Sequence, residues 1–298
     1  MILMKNYKST LLLFVLSALW ALHFSLVKLV DADKNPLSIL VPLLVVLTIL
    51  FYFVLNFNNQ LFKFTFRKSI FFTVAGIFAY VVPLYVEFLV APKMDSGILV
   101  LIVSSVPVFT LIIVWIFRLL DVNLRLLLGT FFGLVGISII ILGDTNKSVN
   151  FWALLALIVP LSYSFDAIFM EKYWPNELNT FQVAFGECFA SLVLLIIFNF
   201  LFDTNFSEYM YWISLPSFWL LTFVTFIEIS LFFYILKIRG AVFINLGSYL
   251  VMPAGFLWGF IIFGETFTLV KLVCTLLIIS SIFLIGNHEY KIKNTPIE

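Results

Sequence analysis

The chain has 298 residues, of which 63% are hydrophobic and 11% charged, with 17 Lys and Arg against 16 Asp and Glu, a net charge of +1 and a mean hydropathy of +1.15. A soluble domain carries about 45–50% apolar and about 25% charged residues, so most of this chain cannot face water. The balanced charge offers no polyanion-binding surface and sets nucleic acid aside as a partner. Cys188 and Cys274 both fall in apolar runs, which suggests neither a disulfide framework nor a metal site.

At about 20 residues per span, the length leaves room for roughly ten membrane helices and no soluble domain. Lys5 and Lys8 precede an apolar run from Leu11 to Val30, which outruns a signal-peptide core of about 7–15 residues and reads as an uncleaved first helix. In chain order, apolar stretches predict helices over 9–30, 37–56, 69–91, 95–117, 124–143, 151–171, 179–202, 216–236, 240–263 and 267–286. Turn chemistry separates them, at Asp31–Pro36, Asn56–Asn59, Ala91–Lys93, Gly143–Asn146, Trp174–Asn176, Asp203–Asn205 and Arg239–Gly240. With the N-terminus inside, 12 basic residues, among them Lys63, Arg67, Lys68, Arg118, Arg125 and Lys172, fall on the inner side and five, Lys28, Lys34, Lys93, Lys147 and Lys271, on the outer. That asymmetry follows the positive-inside rule and predicts a multi-pass protein of the cell membrane with both termini cytoplasmic.

Rare residues recur at a nearly constant offset. Lys28 and Lys172 end helices 1 and 6, and Asn35 and Asn179 open helices 2 and 7, each pair 144 apart. Pro107 and Pro253 are 146 apart, while Gly129 and Gly136 meet Cys274 and Ser281 at offset 145. The expected fold is an all-α integral membrane protein with two five-helix units, residues 1–147 and 148–298. An odd number of spans per unit inverts the second unit in the membrane, the construction of many secondary transporters.

Four short segments, in this order, carry a family resemblance: Ser17-Ala-Leu-Trp-Ala21, Val103-Ser-Ser-Val-Pro-Val108, Gly129-Thr-Phe-Phe-Gly-Leu-Val-Gly136, and Tyr249-Leu-Val-Met-Pro253 leading to Phe263-Gly-Glu265. From about residue 10 to 286 the chain resembles the EamA-type members of the drug/metabolite transporter superfamily. The resemblance implies two five-helix repeats around a central substrate cavity that opens to alternate sides. Two departures stand out: the family's Glu after helix 4 is replaced by Leu119, with Asp121 two residues on, and helix 10 lacks the expected glycines.

Four carboxylates fall inside predicted spans: Glu87, Asp166, Glu187 and Glu228. At about 2.5–3.5 kcal/mol for an acid at mid-helix, each has to be paired, protonated or facing water. Glu87 shares a face with Tyr80 and Pro83, and Glu228 follows Thr222 and Thr225 at three-residue spacing, which makes these two the candidate proton-coupling residues. Asp166 shares a face with Ser162 and neighbours Tyr163, whereas Glu187 ranks last because helix 7 is less central in the resembling family. Asp95 and Glu265 stand near helix ends and read as caps. Trp20 and His23 share a face of helix 1, and His23 is the one span residue able to titrate near neutral pH unperturbed, although a packing role is the commoner use of such a histidine.

Ser104 in helix 4 and Asn245 and Tyr249 on one side of helix 9 complete the predicted cavity set. Pro83, Pro107, Pro160 and Pro253 are candidate kinks, each freeing a carbonyl that lipid cannot serve, so helices 3, 4, 6 and 9 are expected to face the interior. Trp152, Trp212 and Trp219 near span ends read as interfacial anchors. Gly129, Gly133 and Gly136 permit close helix packing, compatible with a monomer or a homodimer.

Together these features predict a secondary-active transporter of a small organic metabolite, amino-acid-like or otherwise neutral or zwitterionic, with the lipid bilayer as its medium and protons as the candidate coupling ion. No cofactor or metal is expected: GxxxxGK[ST], HExxH and GxSxG are absent from the sequence. The alternatives are a membrane-embedded enzyme acting on a lipid-linked substrate, against which stand the missing motifs and the placing of the four acids on four different helices, and a structural subunit, which would need neither a duplication nor buried acids.

Overall fold

The computed structural model describes residues 2–29, 35–118, 123–142, 147–202, 206–239, 243–244 and 247–286. Asn245, the 143–146 and 203–205 turns, most of the 31–36 turn and the tail from 287 lie outside them, and of Tyr249 only the backbone is described.

Continuous apolar runs with few β-breaking clusters fold entirely as helices, and no strand occurs among the described residues. We number them α1 (Ile2–Lys28), α2 (Pro36–Phe57), α3 (Phe66–Gly76), α4 (Val82–Val90), α5 (Ser96–Val103), α6 (Val106–Ile116), α7 (Leu124–Leu142), α8 (Lys147–Ala156), α9 (Ile158–Tyr173), α10 (Thr180–Phe202), α11 (Phe206–Ser214), α12 (Pro216–Arg239), α13 (Gly247–Phe263) and α14 (Leu269–Gly286). Eight stretches are long and apolar enough to cross a bilayer: Lys8–Lys28, Pro36–Phe57, Phe66–Lys93, Ser96–Ile116, Leu124–Ile141, Phe151–Tyr173, Thr180–Asn199 and Pro216–Arg239. The last two predicted spans appear as shorter apolar helices, Leu250–Phe263 and Leu269–Ile285, so length and composition mark eight spans, not ten, among the described residues.

Asparagine caps open the helices where the turn chemistry placed them. Asn35 accepts from the Leu37 amide at 3.0 Å, and Asn179 and Gln182 cap each other's backbone at 2.8 and 2.9 Å. The helix pairs in most extensive contact are α1 with α13 and α12, α2 and α3 with α10, α4 and α6 with α9, and α7 with α14. Glycine is required at the tightest of these crossings: a Cβ on Gly186 in α10 would run into the Phe72 ring of α3, and one on Gly133 in α7 would meet Val108 and Ser281. Large apolar side chains cover the outside, including Phe14, Phe131, Phe223, Phe260 and Phe283, as a lipid-facing surface demands.

Three of the four candidate prolines interrupt their span. Pro107 follows the break at Ser104-Ser105 between α5 and α6, and Pro160 follows Leu157 between α8 and α9. Before Pro83 the backbone widens into a π-turn over Ile77–Val81, where the Val82 amide bonds to the Ile77 carbonyl. The next bond in that register would need an N–H on Pro83, so the Phe78 carbonyl is freed, and Ser162 of α9 donates to it at 2.9 Å. Pro253 is a correction. It is exposed and sits within an unbroken α13, because a proline on the outer face bends a helix around the core instead of opening it inward. Two further expectations change: Trp212 is no interfacial anchor but is buried, donating to Ser38 Oγ at 2.8 Å, and α11 fills a stretch expected to be a loop.

Candidate functional site

The broken helices surround a cavity of about 210 Å³. Its walls include Trp20, His23, Tyr80, Ser104, Tyr163, Asp166 and Glu228 from the predicted set, together with Glu187, Thr225 and Ser248. Local geometry accounts for several of these positions. The π-turn brings Tyr80 onto the cavity side of its span, and the Ser104-Ser105 break leaves the Ser104 hydroxyl at the wall. The Ser164 hydroxyl of α9 sits between the Val106 and Pro160 carbonyls, 3.0 and 2.6 Å away, and ties the break down by sharing its one proton between them.

His23 stands between two acids from opposite halves of the chain. Its Nδ1 lies 2.9 Å from Glu228 Oε1 and 3.3 Å from Thr225 Oγ1, while Nε2 faces Glu87 Oε2 at 3.5 Å. Tyr163 donates its phenolic proton to Glu87 Oε1 at 2.9 Å. All three are nearly inaccessible, with 4, 0 and 6% exposure for His23, Glu87 and Glu228. With one proton on the ring, Nδ1–H serves Glu228; a second proton would let the imidazolium serve both carboxylates. Glu87 forms the back of this group and does not itself line the cavity.

Asp166 and Glu187, 8 and 1% exposed, form a second acidic region on the cavity wall. They interact electrostatically with each other and with Tyr80. The low rank given to Glu187 is therefore corrected: α10 packs against α3 through Gly186, and that close approach carries the next residue to the wall. The Gly186-Glu187 pair was the available signal, because a small residue beside an intramembrane acid marks an inward-facing stretch.

The two predicted caps divide differently from the expectation. Asp95 occupies the N-cap position of α5 but makes no side-chain cap; its carboxylate pairs with Lys271 Nζ at 2.7 Å. Glu265 caps α5 instead, accepting from the Ser96 amide at 2.8 Å, Ser96 Oγ at 3.1 Å and the Gly97 amide at 3.2 Å, and pairing with Lys28 at 2.5 Å. Gly264, at φ +65°, closes α13 with Glu265 N–H reaching the Gly259 carbonyl at 3.2 Å and turns the carboxylate across to α5. Gly259 leaves room for it, since a Cβ there would strike Glu265. Among the described residues no group of three or more His, Cys, Asp or Glu is arranged to hold a metal ion.

The sequence model of the EamA-like transporter family matches residues 150–287. A solved crystal structure of another protein aligns with a TM-score of 0.62 at 15% identity, covering 93% of this chain and 96% of that one, a likeness of fold. No curated protein matches the chain.

Proposed function

We propose, from the match of residues 150–287 to the EamA-like transporter family, that the whole chain is a secondary-active transporter of a small organic metabolite, working by alternating access from the cell membrane with both termini cytoplasmic. The observation that carries this reading is the bridge that His23 makes between Glu87 and Glu228 beside a cavity within the helix bundle. A carrier needs groups inside the membrane whose pairing can change between two states, and a histidine shared by two carboxylates offers that.

The units are 1–147 and 148–298, inverted with respect to each other across ten spans. The pairings support this: exchanging the halves turns the contact of helix 1 with helix 9 into that of helix 6 with helix 4, and leaves the pairs 2 with 7 and 5 with 10 unchanged. The solute is amino-acid-like or another neutral or zwitterionic molecule, bound among Trp20, Tyr80, Ser104, Tyr163, Asp166, Asn245 and Tyr249. Protons couple through Glu87 or Glu228, and the working unit is a monomer or a homodimer.

The test is transport by purified protein in liposomes against a panel of amino acids, amines and other small metabolites. Saturable counterflow of at least one solute above protein-free vesicles is expected. Failure of every solute to move, with protein that remains folded, refutes the reading.

A further inference from the structure

We propose that Asp166 and Glu187 form the ammonium subsite of this cavity, so that the transported solute is recognised through a protonated amine. The inference rests on the transporter reading for its biological meaning but not for its geometry.

Charge accounting separates the two acidic regions. His23 is the one basic side chain on the cavity wall among the described residues, and both its ring nitrogens already face carboxylates, Glu228 and Glu87. Nothing comparable faces the other pair. Asp166 and Glu187 form no ion pair with a described residue, and Asp166 Oδ1 and Glu187 Oε1 are buried without a hydrogen-bond donor. Such atoms are costly to leave unmatched in a low-dielectric interior, and a ligand that brings donors and positive charge relieves the cost.

A third group, on a different element, also lacks a partner. The Ser104 hydroxyl at the α5–α6 break is 4% exposed, lines the cavity and makes no hydrogen bond. It is placed by a proline break and not by the acids, so it is an independent mark of a polar ligand in this space. A primary ammonium has three N–H donors and can satisfy several acceptors at once.

The rest of the wall fits the body of such a solute. Trp20, Phe24, Tyr163, Phe232 and Phe233 supply aromatic faces, which attract a cation and cover an apolar chain. An anionic solute would find no free base on the described wall, while a neutral one would leave the carboxylates as they are.

The experiment measures thermal stabilisation of the purified full chain by 2-phenylethylammonium and by 2-phenylethanol, which has the same ring and chain but no charge. The amine should raise the unfolding midpoint and the alcohol should not. Asp166→Asn and Glu187→Gln should each raise the amine concentration needed by about tenfold or more, the usual cost of losing a hydrogen bond to a charged group. Asp166→Glu and Glu187→Asp keep the charge and should retain the stabilisation, which covers the case in which a neutral variant fails to fold. Equal stabilisation by amine and alcohol, no stabilisation by the amine, or an amine response unchanged in both neutral variants overturns the subsite. Liposome counterflow answers the other question separately: solutes that move without any amine response sink the subsite alone, and amine binding lost in the variants without transport of any solute supports the subsite while the transporter reading falls.

Discussion

Replacing Glu265 with Gln keeps the shape of the side chain and removes its charge, which isolates what the carboxylate does. Four donors converge on it: the Ser96 and Gly97 amides, the Ser96 hydroxyl and the Lys28 ammonium. The amides belong to the first turn of α5, where unpaired N–H groups and the helix dipole favour an anion. Hydrogen bonds to a charged group contribute about 1.5–3 kcal/mol, and a well-placed charge at a helix end adds up to about 2 kcal/mol. Gln keeps one acceptor oxygen, which brings the expected loss to about 2–4 kcal/mol. At roughly 2–4 °C per kcal/mol for a chain of this order of size, the unfolding midpoint should fall by at least about 4 °C. Cys188 and Cys274 are both buried, so a thiol-reactive fluorophore reports unfolding of the native sequence at a fixed scan rate. Lys28→Met completes a double-mutant cycle, with a coupling of at least about 1 kcal/mol expected. An unchanged midpoint in Glu265→Gln, or strictly additive effects of the two substitutions, refutes the reasoning.

Glu87→Gln keeps an acceptor for the Tyr163 hydroxyl and removes the charge facing His23; it should abolish acceleration of transport by a pH gradient while equilibrium exchange of the solute survives, and unchanged pH-driven accumulation removes Glu87 from the coupling role. Gly186→Ala forces the Phe72 ring to move and should cost about 1–3 kcal/mol, read as a lower midpoint in the same thermal assay; a midpoint equal to the parent's would show that α3 and α10 can separate freely. Single cysteines at Asn58 and Thr266, introduced after Cys188 and Cys274 are replaced by Ala, should be labelled from opposite sides of the membrane, and labelling of both from outside sinks the proposed topology.

Spans were legible because lipid demands long apolar runs, a signal that survives without any knowledge of packing. Where a span breaks was only partly legible. Pro83, Pro107, Pro160 and Pro253 carry the same covalent lesion, but the outcome depends on the face each occupies and on whether a hydroxyl such as Ser162 can reach the freed carbonyl, or one such as Ser164 can tie down the break. Those partners lie 84 and 58 positions away in sequence, beyond any local pattern. His23, Glu87 and Glu228 could be selected one by one from the cost of burying a charge, yet their meeting depends on how α1 packs against its neighbours. Glu187 was misjudged because helix order was allowed to outweigh the adjacent Gly186. α11 was missed because Phe206–Ser214 is too short and too mixed to register as a span, although its tyrosines and Trp212 were there to be read.

The Lys28–Glu265 pair also bears on the proposed transport cycle. Lys28–Glu265 and Asp95–Lys271 each join a residue of the first unit to one of the second, at the end that the basic-residue asymmetry assigns to the outside. By the offsets of the repeat, Lys28 corresponds to Lys172 and Glu265 to Leu119, so the acid of this pair has no counterpart at the matching inner position; an ion pair that joins the two units at that end is Lys68–Glu177 at 3.5 Å, with the Glu177 side chain 62% exposed. Lys172 instead has its ammonium 5.5 Å from the centroid of the neighbouring Tyr173 ring. In the proposed transport cycle the shorter pairs at the outer end and the exposed Lys68–Glu177 pair at the inner end hold the two ends with unequal strength, and the balance between access states follows their difference, with each 1.4 kcal/mol worth about tenfold in population. Removing the Glu265 charge should therefore favour opening at the outer end. A cysteine in place of Ser104, on the cavity wall, should react faster with a membrane-impermeant thiol reagent added outside when Glu265→Gln is also present, by about tenfold if as little as 1.4 kcal/mol of the ion-pair energy is spent on closure. An equal rate with and without Glu265→Gln would mean that the ion pair stabilises both access states alike, and that its role is structural alone.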